Sequence, residues 1–84
     1  MYFVYLLECS DHSIYTGITN DLENRLRRHK DGTASRYTRA KGAVKIVHIE
    51  QHPNRSAAQK REAEIKSWPR KKKLSLTRSS NNIV

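Results

Sequence analysis

Two short stretches, Phe3-Val4-Tyr5 and Tyr15-Thr16-Gly17, decide the fold of this chain. They lie inside two runs rich in β-branched and aromatic residues, 2–7 and 14–19, which predict two β-strands. The polar residues between the runs are typical of a turn. The sequence therefore predicts a β-hairpin that brings two phenols together beside a glycine, which leaves room for a ligand or another backbone.

The length of 84 residues predicts one domain with a modest core. We expect residues 1–78 to form that domain and residues 79–84 to be a flexible tail. No apolar run is long enough to span a bilayer, and the N-terminus lacks a signal-peptide pattern. Because Cys9 is the only cysteine, no internal disulfide is expected, and a reduced, cytoplasmic setting is the default. A monomer is assumed.

The net charge of +9 is distributed unevenly along the chain. Residues 1–24 contain four acidic side chains and no Lys or Arg, which gives −4. The rest of the chain carries all 17 Lys and Arg residues against four acids, which gives +13. Such asymmetry favours a polyanionic partner, nucleic acid before an anionic membrane surface. The alternative is a surface whose charge serves only solubility.

The segment after the hairpin predicts a helix that begins after Asn20, as N-cap, and ends near Lys30. Two leucines four residues apart would face the core. Arg25 and His29 form a second row at the boundary with solvent. In isolation, Arg25 is explained by a solvated helix face, and His29 by its favourable position near the helix C-terminus.

The remaining chain predicts a basic loop over 31–43, a strand over 44–52, a helix over 56–67 capped by Ser56, and a short basic helix over 70–77. The third strand has apolar residues of both parities, which indicates cover on both faces. These are Val44 and Ile46 against Val47 and Ile49.

The predicted element order is β-β-α-β-α-α, an α+β fold. If the third strand pairs with the first, the sheet is antiparallel with three strands in the order 2-1-3, flanked by helices. The first strand would then be central, which fits its unbroken apolar run.

Glu62 stands in the apolar stripe of the predicted helix 56–67, on the face of Ala58 and Ile65, whereas Glu64 is rotated away by about 200°. A carboxylate in such a stripe requires a cation, a metal or hydrogen-bond donors nearby. A functional role, a salt bridge to Arg25 and an exposed position are all compatible with this placement. The two tyrosines, taken alone, could be core aromatics with their hydroxyls at the rim.

Taken together, these positions resemble the GIY-YIG nuclease family, and its small stand-alone bacterial members in particular. The resemblance includes Val4-Tyr5, Tyr15-Thr16-Gly17, the helix from Asn20 to His29, and Lys60-Arg61-Glu62. It extends over nearly the whole chain to about Leu76. No confident counterpart exists for the asparagine that some members carry near the end of the domain.

The resemblance implies an endonuclease that hydrolyses phosphodiester bonds in DNA, with RNA as a second candidate substrate. It assigns catalytic roles to Tyr5, Tyr15, Arg25, His29 and Glu62, with Gly17 at the site. Tyr5 would be the general base and Tyr15 would orient the water or phosphate, although these two roles could be exchanged. Arg25 would clamp the phosphate, and His29 would assist proton movement or contact phosphate. Glu62 would hold one divalent ion, Mg²⁺ or Mn²⁺.

Nucleic acid would be held mainly through its phosphates, with little sequence specificity and with a place in DNA repair or processing. The candidate contacts are Arg27, Arg28, Arg36, Arg39, Lys41, Arg70, Lys71, Lys72 and Lys73. The alternative is a catalytically inactive nucleic-acid-binding module on the same fold, and a protein-interaction domain is a third possibility. A zinc site at His48, Glu50 and His52 is a minor alternative, because no fourth ligand is evident.

Overall fold

A computed structural model of the chain describes residues 1–32 and 42–78. The elements follow in the predicted order β-β-α-β-α-α. They are β1 (Tyr2–Cys9), β2 (Ile14–Thr19), α1 (Leu22–Lys30), β3 (Ala43–His52), α2 (Arg55–Lys66) and α3 (Arg70–Arg78). Three of the predicted nucleic-acid contacts, Arg36, Arg39 and Lys41, lie outside the described residues, and so does the predicted tail 79–84.

The strands form one antiparallel sheet in the order β2-β1-β3, which confirms the predicted topology. In the register of β1, Tyr5 lies opposite Gly17 on β2 and Ile49 on β3. Because β1 is paired on both sides and covered on both faces, its residues from Val4 to Leu7 are buried. This central position explains why β1 is the most continuously apolar segment of the chain.

Helices cover both faces of the sheet, so the described residues form three layers. On one face, Val4 and Leu6 pack with Ala58 and Ile65 of α2, and Trp68 and Leu76 extend this cluster. On the other face, Tyr5, Leu7 and Ile46 pack against Leu22 and Leu26 of α1. Alternation along β1 therefore separates the two clusters. None of the helices within the described ranges is long and apolar enough to cross a bilayer.

The third strand departs from simple alternation. Leu6 pairs with His48 and Leu7 pairs with Ile46, so Val47 is an extra residue in a β-bulge. As a result Ile46 and Ile49 share one cluster, while Val47 packs in the other. The predicted cover on both faces is correct, but the parity that placed Ile46 opposite Ile49 is wrong, because the bulge shifts the alternation.

Both predicted N-caps are also wrong. Asp21, not Asn20, caps α1 and accepts a hydrogen bond from the Asn24 amide at 3.2 Å. The Thr19 hydroxyl accepts a hydrogen bond from the Asp21 amide at 3.0 Å. The turn that this bond closes moves the cap from Asn20 to the next residue. Asn54, not Ser56, caps α2 and accepts from the amide of Ala57 at 2.9 Å, so the helix begins at Arg55.

Candidate active site

Three aromatic side chains meet on the α1 face of the sheet. The ring centroid of Tyr5 lies 6.3 Å from that of Tyr15 and 5.6 Å from that of His29. The rings of Tyr15 and His29 are 5.1 Å apart and meet edge to face. Pairing of β1 with β2 places the two tyrosines together, and the last turn of α1 adds the histidine. The predicted neighbours Tyr5, Tyr15 and His29 therefore form one cluster.

The centre of this cluster is a hydrogen bond between two buried side chains. The Tyr5 Oη atom lies 2.7 Å from Nε2 of His29. Tyr5 is 0% exposed and His29 is 2% exposed, whereas Tyr15 is half-buried. The Tyr5 hydroxyl is thus not at the rim of the core. His29 also does more than complement the end of a helix, because it supplies the polar partner that a buried phenol requires.

The environment keeps both members of this pair uncharged. Burial raises the pKa of Tyr5 well above its usual value, the charges of Tyr15 and Glu62 raise it further, and the positive charge of the nearby Arg25 opposes this shift. Burial also lowers the pKa of His29, and the charges of Arg25 and Arg28 lower it further. Near neutral pH the site therefore contains a neutral phenol hydrogen-bonded to a neutral imidazole.

Gly17 makes room for the Tyr5 hydroxyl. A Cβ atom at this position would lie 2.6 Å from Oη and 2.7 Å from Cζ of Tyr5. It would also lie 3.0 Å from the Cε2 atom of Tyr15. Any side chain at position 17 would therefore displace a phenol ring, and the requirement for glycine here is steric.

Arg25 and Glu62 approach the aromatic cluster from two different helices. Arg25 of α1 is half-buried, and its guanidinium lies near enough to the Tyr5 hydroxyl to lower the pKa of Tyr5. Glu62 of α2 lies near enough for its charge to raise the pKa of Tyr5. The ion-pair partner of Glu62 is Lys66, whose Nζ atom lies 3.4 Å from Oε2. The salt bridge to Arg25, one of the alternatives from the sequence, is therefore not the pair that forms.

The two glutamates of α2 differ as helix geometry predicts. The Glu62 side chain is 22% exposed and lies on the helix face of the fully buried Ala58 and Ile65. The side chain of Glu64 is 57% exposed and pairs with Arg61 at 2.9 Å. Glu62 is therefore the more buried carboxylate of this pair, and its charge is the one that affects the pKa of Tyr5.

The described members of the predicted contact set lie on two helices that cover opposite faces of the sheet. Arg27 and Arg28 are exposed on α1, which covers one face of the sheet. The cluster Arg70, Lys71, Lys72 and Lys73 belongs to α3, which packs on the other face. Lys72 places its Nζ atom 4.3 Å from the centroid of the Trp68 ring. The structure thus separates two sets of residues that were predicted to bind the same ligand.

The minor zinc alternative is not supported. His48 and His52 do converge on Glu50, with Nε2 atoms 2.9 and 3.2 Å from its oxygens. However, Arg61 donates to both of these oxygens at 2.9 Å, so a guanidinium occupies the position that a cation would need. Glu50 and Arg61 meet only because α2 packs on β3. No local signal in the sequence could therefore relate them.

The residues near the tyrosines can supply part of the coordination shell of a divalent ion. Within the described ranges no group of three or more His, Cys, Asp or Glu side chains could hold a metal. Mg²⁺ usually keeps several waters and needs only one or two carboxylates plus substrate oxygens. Glu62 can supply one such carboxylate. Its ion pair with Lys66 lies near the surface, and a metal ion could take the place of the lysine.

Comparisons with known proteins agree with this geometry. Residues 1–75 match a family model described as the GIY-YIG catalytic domain. A UPF0213 protein of Haloquadratum walsbyi is 48% identical over 82 residues, covering 98% of this chain and 92% of the relative. A UPF0213 protein of Clostridium perfringens is 46% identical, covering 96% of this chain and 87% of the relative.

The fold also has a solved counterpart. The solution NMR structure of the UPF0213 protein BH0048 from Bacillus halodurans superimposes with a TM-score of 0.61 at 36% identity. The match covers 98% of this chain and 88% of that protein. The relatives are small proteins like this one, and the family match extends across the hairpin, α1 and α2. The chain therefore belongs to the GIY-YIG family.

Proposed function

We propose that the protein is a divalent-metal-dependent endonuclease that hydrolyses phosphodiester bonds in DNA, with RNA as a second candidate substrate. The observation that carries this proposal is the buried hydrogen bond between Tyr5 and His29, with Tyr15 beside it and with Arg25 and Glu62 at its edge. A core that needed only aromatic packing would have no use for a buried phenol, an imidazole and two charged groups in one place.

In this proposal Tyr15 takes the proton of the attacking water, which exchanges the roles first predicted for the two tyrosines. The reason is access, because Tyr5 has no exposed surface whereas Tyr15 is half-buried. A tyrosine acts as a base only as phenolate, and nearby cations favour that form. The hydrogen bond between Oη of Tyr5 and Nε2 of His29 fixes these two rings, and they hold the ring of Tyr15 in place.

Arg25 supplies the positive charge that phosphoryl transfer requires. Its guanidinium can bind two phosphate oxygens at once and stabilise the charge that develops on them. The position of Arg25 near Tyr5 supports this role, because the ring of Tyr15, the proposed base, lies 6.3 Å from that of Tyr5. Burial, and then the charge of Arg25, lower the pKa of His29, so that its neutral imidazole can accept the hydrogen bond of the Tyr5 hydroxyl.

Glu62 is the proposed ligand of the divalent ion, Mg²⁺ or Mn²⁺. When bound, such an ion supplies Lewis acidity at a phosphate oxygen and promotes ionisation of a water molecule. The partly buried position of Glu62 and its charge effect on Tyr5 support this assignment over Glu64. Loss of the Lys66 ion pair would leave the carboxylate available.

Binding to nucleic acid would depend mainly on phosphate contacts. The described members of the predicted contact set are Lys and Arg side chains on α1 and α3. Contacts of this kind position a strand but contain no sequence information. We therefore expect weak sequence preference, and a role in DNA repair or processing is compatible with it.

The direct test is nicking of supercoiled plasmid with Mg²⁺, with Mn²⁺ and with EDTA. The proposal expects relaxed circles with either metal and none in EDTA. If the wild-type protein binds plasmid but never cuts it with any divalent metal, the catalytically inactive binding module is the better account.

A further inference from the structure

A cavity adjoins the aromatic cluster on the outer side of the sheet edge. Its volume is about 310 Å³, and it is lined by Ile14, Tyr15, Thr16, Lys66 and Lys73. This volume is at the lower end of the range for small-molecule sites. Strand β2, the last residue of α2 and the middle of α3 therefore border an open cavity of ligand size next to the proposed base.

Thr16 is the unusual member of this lining. Its side chain is 3% exposed, and the Oγ1 atom has no hydrogen-bond partner within the described residues. A buried hydroxyl without a partner is unfavourable, whereas valine has the same shape and no such penalty. A hydroxyl in this position is explained if it turns toward a ligand in the cavity that accepts its hydrogen bond.

The charge of the cavity indicates the chemistry of that ligand. Lys66 and Lys73 each bring an ammonium group, and a lysine is a donor of three hydrogen bonds with no acceptor. Glu62 already binds Lys66 at 3.4 Å, but the Lys66 side chain is 55% exposed and can turn to a second anion. Two ammonium groups and a hydroxyl are suited to the oxygens of a phosphate group.

We propose that this cavity binds a phosphate group of a nucleic-acid strand, adjacent to the phosphate that is hydrolysed. Thr16 Oγ1 donates a hydrogen bond to it, and Lys66 and Lys73 neutralise its charge. The proposal rests on the proposed function for the identity of the ligand. A phosphate bound in this cavity would direct the nucleic-acid strand across β2 toward α3, past the phenol of Tyr15.

The test uses fluorescence anisotropy with a labelled oligonucleotide in EDTA, between 50 and 200 mM salt. The variants are Thr16→Val, Lys66→Gln and Lys73→Gln, and the matched control is Lys60→Gln, an exposed lysine of the same helix as Lys66 that does not line the cavity. Lys66→Gln and Lys73→Gln should each weaken binding and reduce the slope of log affinity against log salt by about 1. Thr16→Val should weaken binding about tenfold with an unchanged slope, since it removes a hydrogen bond but no charge.

Two oligonucleotides distinguish the sources of the phosphate, one with a 5′-hydroxyl and one with a 5′-phosphate. If the cavity variants lose affinity for both oligonucleotides, the site binds a backbone phosphate. If they lose affinity only for the oligonucleotide with the 5′-phosphate, the site binds a terminal phosphate. Both results support the site. Thermal unfolding of Thr16→Val should be no lower than that of the wild type, because an unsatisfied hydroxyl has been removed.

The proposal is overturned if all three variants bind like Lys60→Gln, or if the wild type binds no oligonucleotide at all. Because metal is absent, the result does not depend on cleavage. A wild type that binds through this cavity but never nicks plasmid would therefore refute the proposed hydrolysis and leave the phosphate site intact.

Discussion

The Oη atom of Tyr5 lies 2.7 Å from Nε2 of His29, although 24 residues separate the two in the chain. Tyr5 comes from the central strand and His29 from the last turn of α1, so this one contact joins the sheet to the helix on its α1 face. Both groups are buried, and both are uncharged near neutral pH. The contact thus serves packing and, in our proposal, holds the ring that does the chemistry.

Gly17→Ala should damage this contact. The added methyl would lie 2.6 Å from Oη of Tyr5, so the phenol must move and the hydrogen bond to His29 must lengthen. We expect a loss of about 1–3 kcal/mol in the free energy of unfolding, as for other overpacked sites, together with a loss of nicking. A double-mutant cycle with Tyr5→Phe measures the coupling by urea unfolding. Simple additivity of the two changes would show that Gly17 does not act through the Tyr5 hydroxyl.

Glu62→Gln should abolish metal-dependent cleavage while leaving duplex affinity nearly unchanged. The substitution keeps the shape of the side chain but removes the charge that a divalent ion requires. Binding of Mn²⁺, followed by its effect on water relaxation, should weaken in the same variant. Glu64→Gln is the matched control, because Glu64 lies two residues away and points outward to Arg61. Equal losses in both variants would refute the assignment.

The ion pair between Glu50 and Arg61 should make stability depend on pH. Burial alone would raise the pKa of Glu50, but hydrogen bonds from Arg61, His48 and His52, with the charge of Arg61, outweigh it and lower this pKa from 4.5 to about 2. A lowered pKa in the folded state adds stability that is complete above pH 4.5 and is lost as the pH falls toward 2. The shift corresponds to about 3 kcal/mol.

This prediction is checked by urea unfolding of the wild type and Glu50→Gln between pH 6 and pH 2. The variant should be less stable at pH 6 by a few kcal/mol, and the two proteins should converge near pH 2. Glu64→Gln, whose side chain is more exposed, should follow the wild-type dependence. Parallel curves for the wild type and Glu50→Gln would contradict the ion-pair account.

Affinity for a short duplex should fall by orders of magnitude between about 50 and 200 mM salt if six or more phosphates are contacted. The net charge of +9 and its concentration after residue 24 are the basis of this expectation. Anisotropy titrations with two unrelated duplexes of equal length provide the measurement. Affinity that is independent of salt, or that differs strongly between the two duplexes, would contradict phosphate-based binding.

Much of this fold could be predicted because its signals are local. Alternation along β1 and β2 was sufficient to bring Tyr5 and Tyr15 together, and the central place of β1 followed from its apolar run. The helical period separated Glu62 from Glu64, and the observed difference in exposure agrees with it. These relationships depend on the side-chain periodicity of a single strand or helix, which can be derived directly from the sequence.

The features that could not be predicted depend on competition between neighbours or on packing at a distance. Asn20 and Asp21 are both good caps, and only the turn at Thr19 selects the second. The bulge at Val47 and the pairing of Glu50 with Arg61 arise from contacts between separate elements. Lys66 lies on an exposed helix turn, and nothing in its sequence context relates it to Tyr15.

Single-turnover cleavage of a labelled duplex with Mn²⁺ tests most directly whether the tyrosine pair performs hydrolysis. Tyr15→Phe should slow cleavage by ~10²–10⁴, as expected for loss of a general base, with duplex affinity and thermal unfolding close to wild type. Tyr5→Phe should slow it by a smaller factor and also lower stability, because its buried hydrogen bond to His29 is lost. If both variants cut at the wild-type rate, the two phenols are core aromatics and the account is wrong.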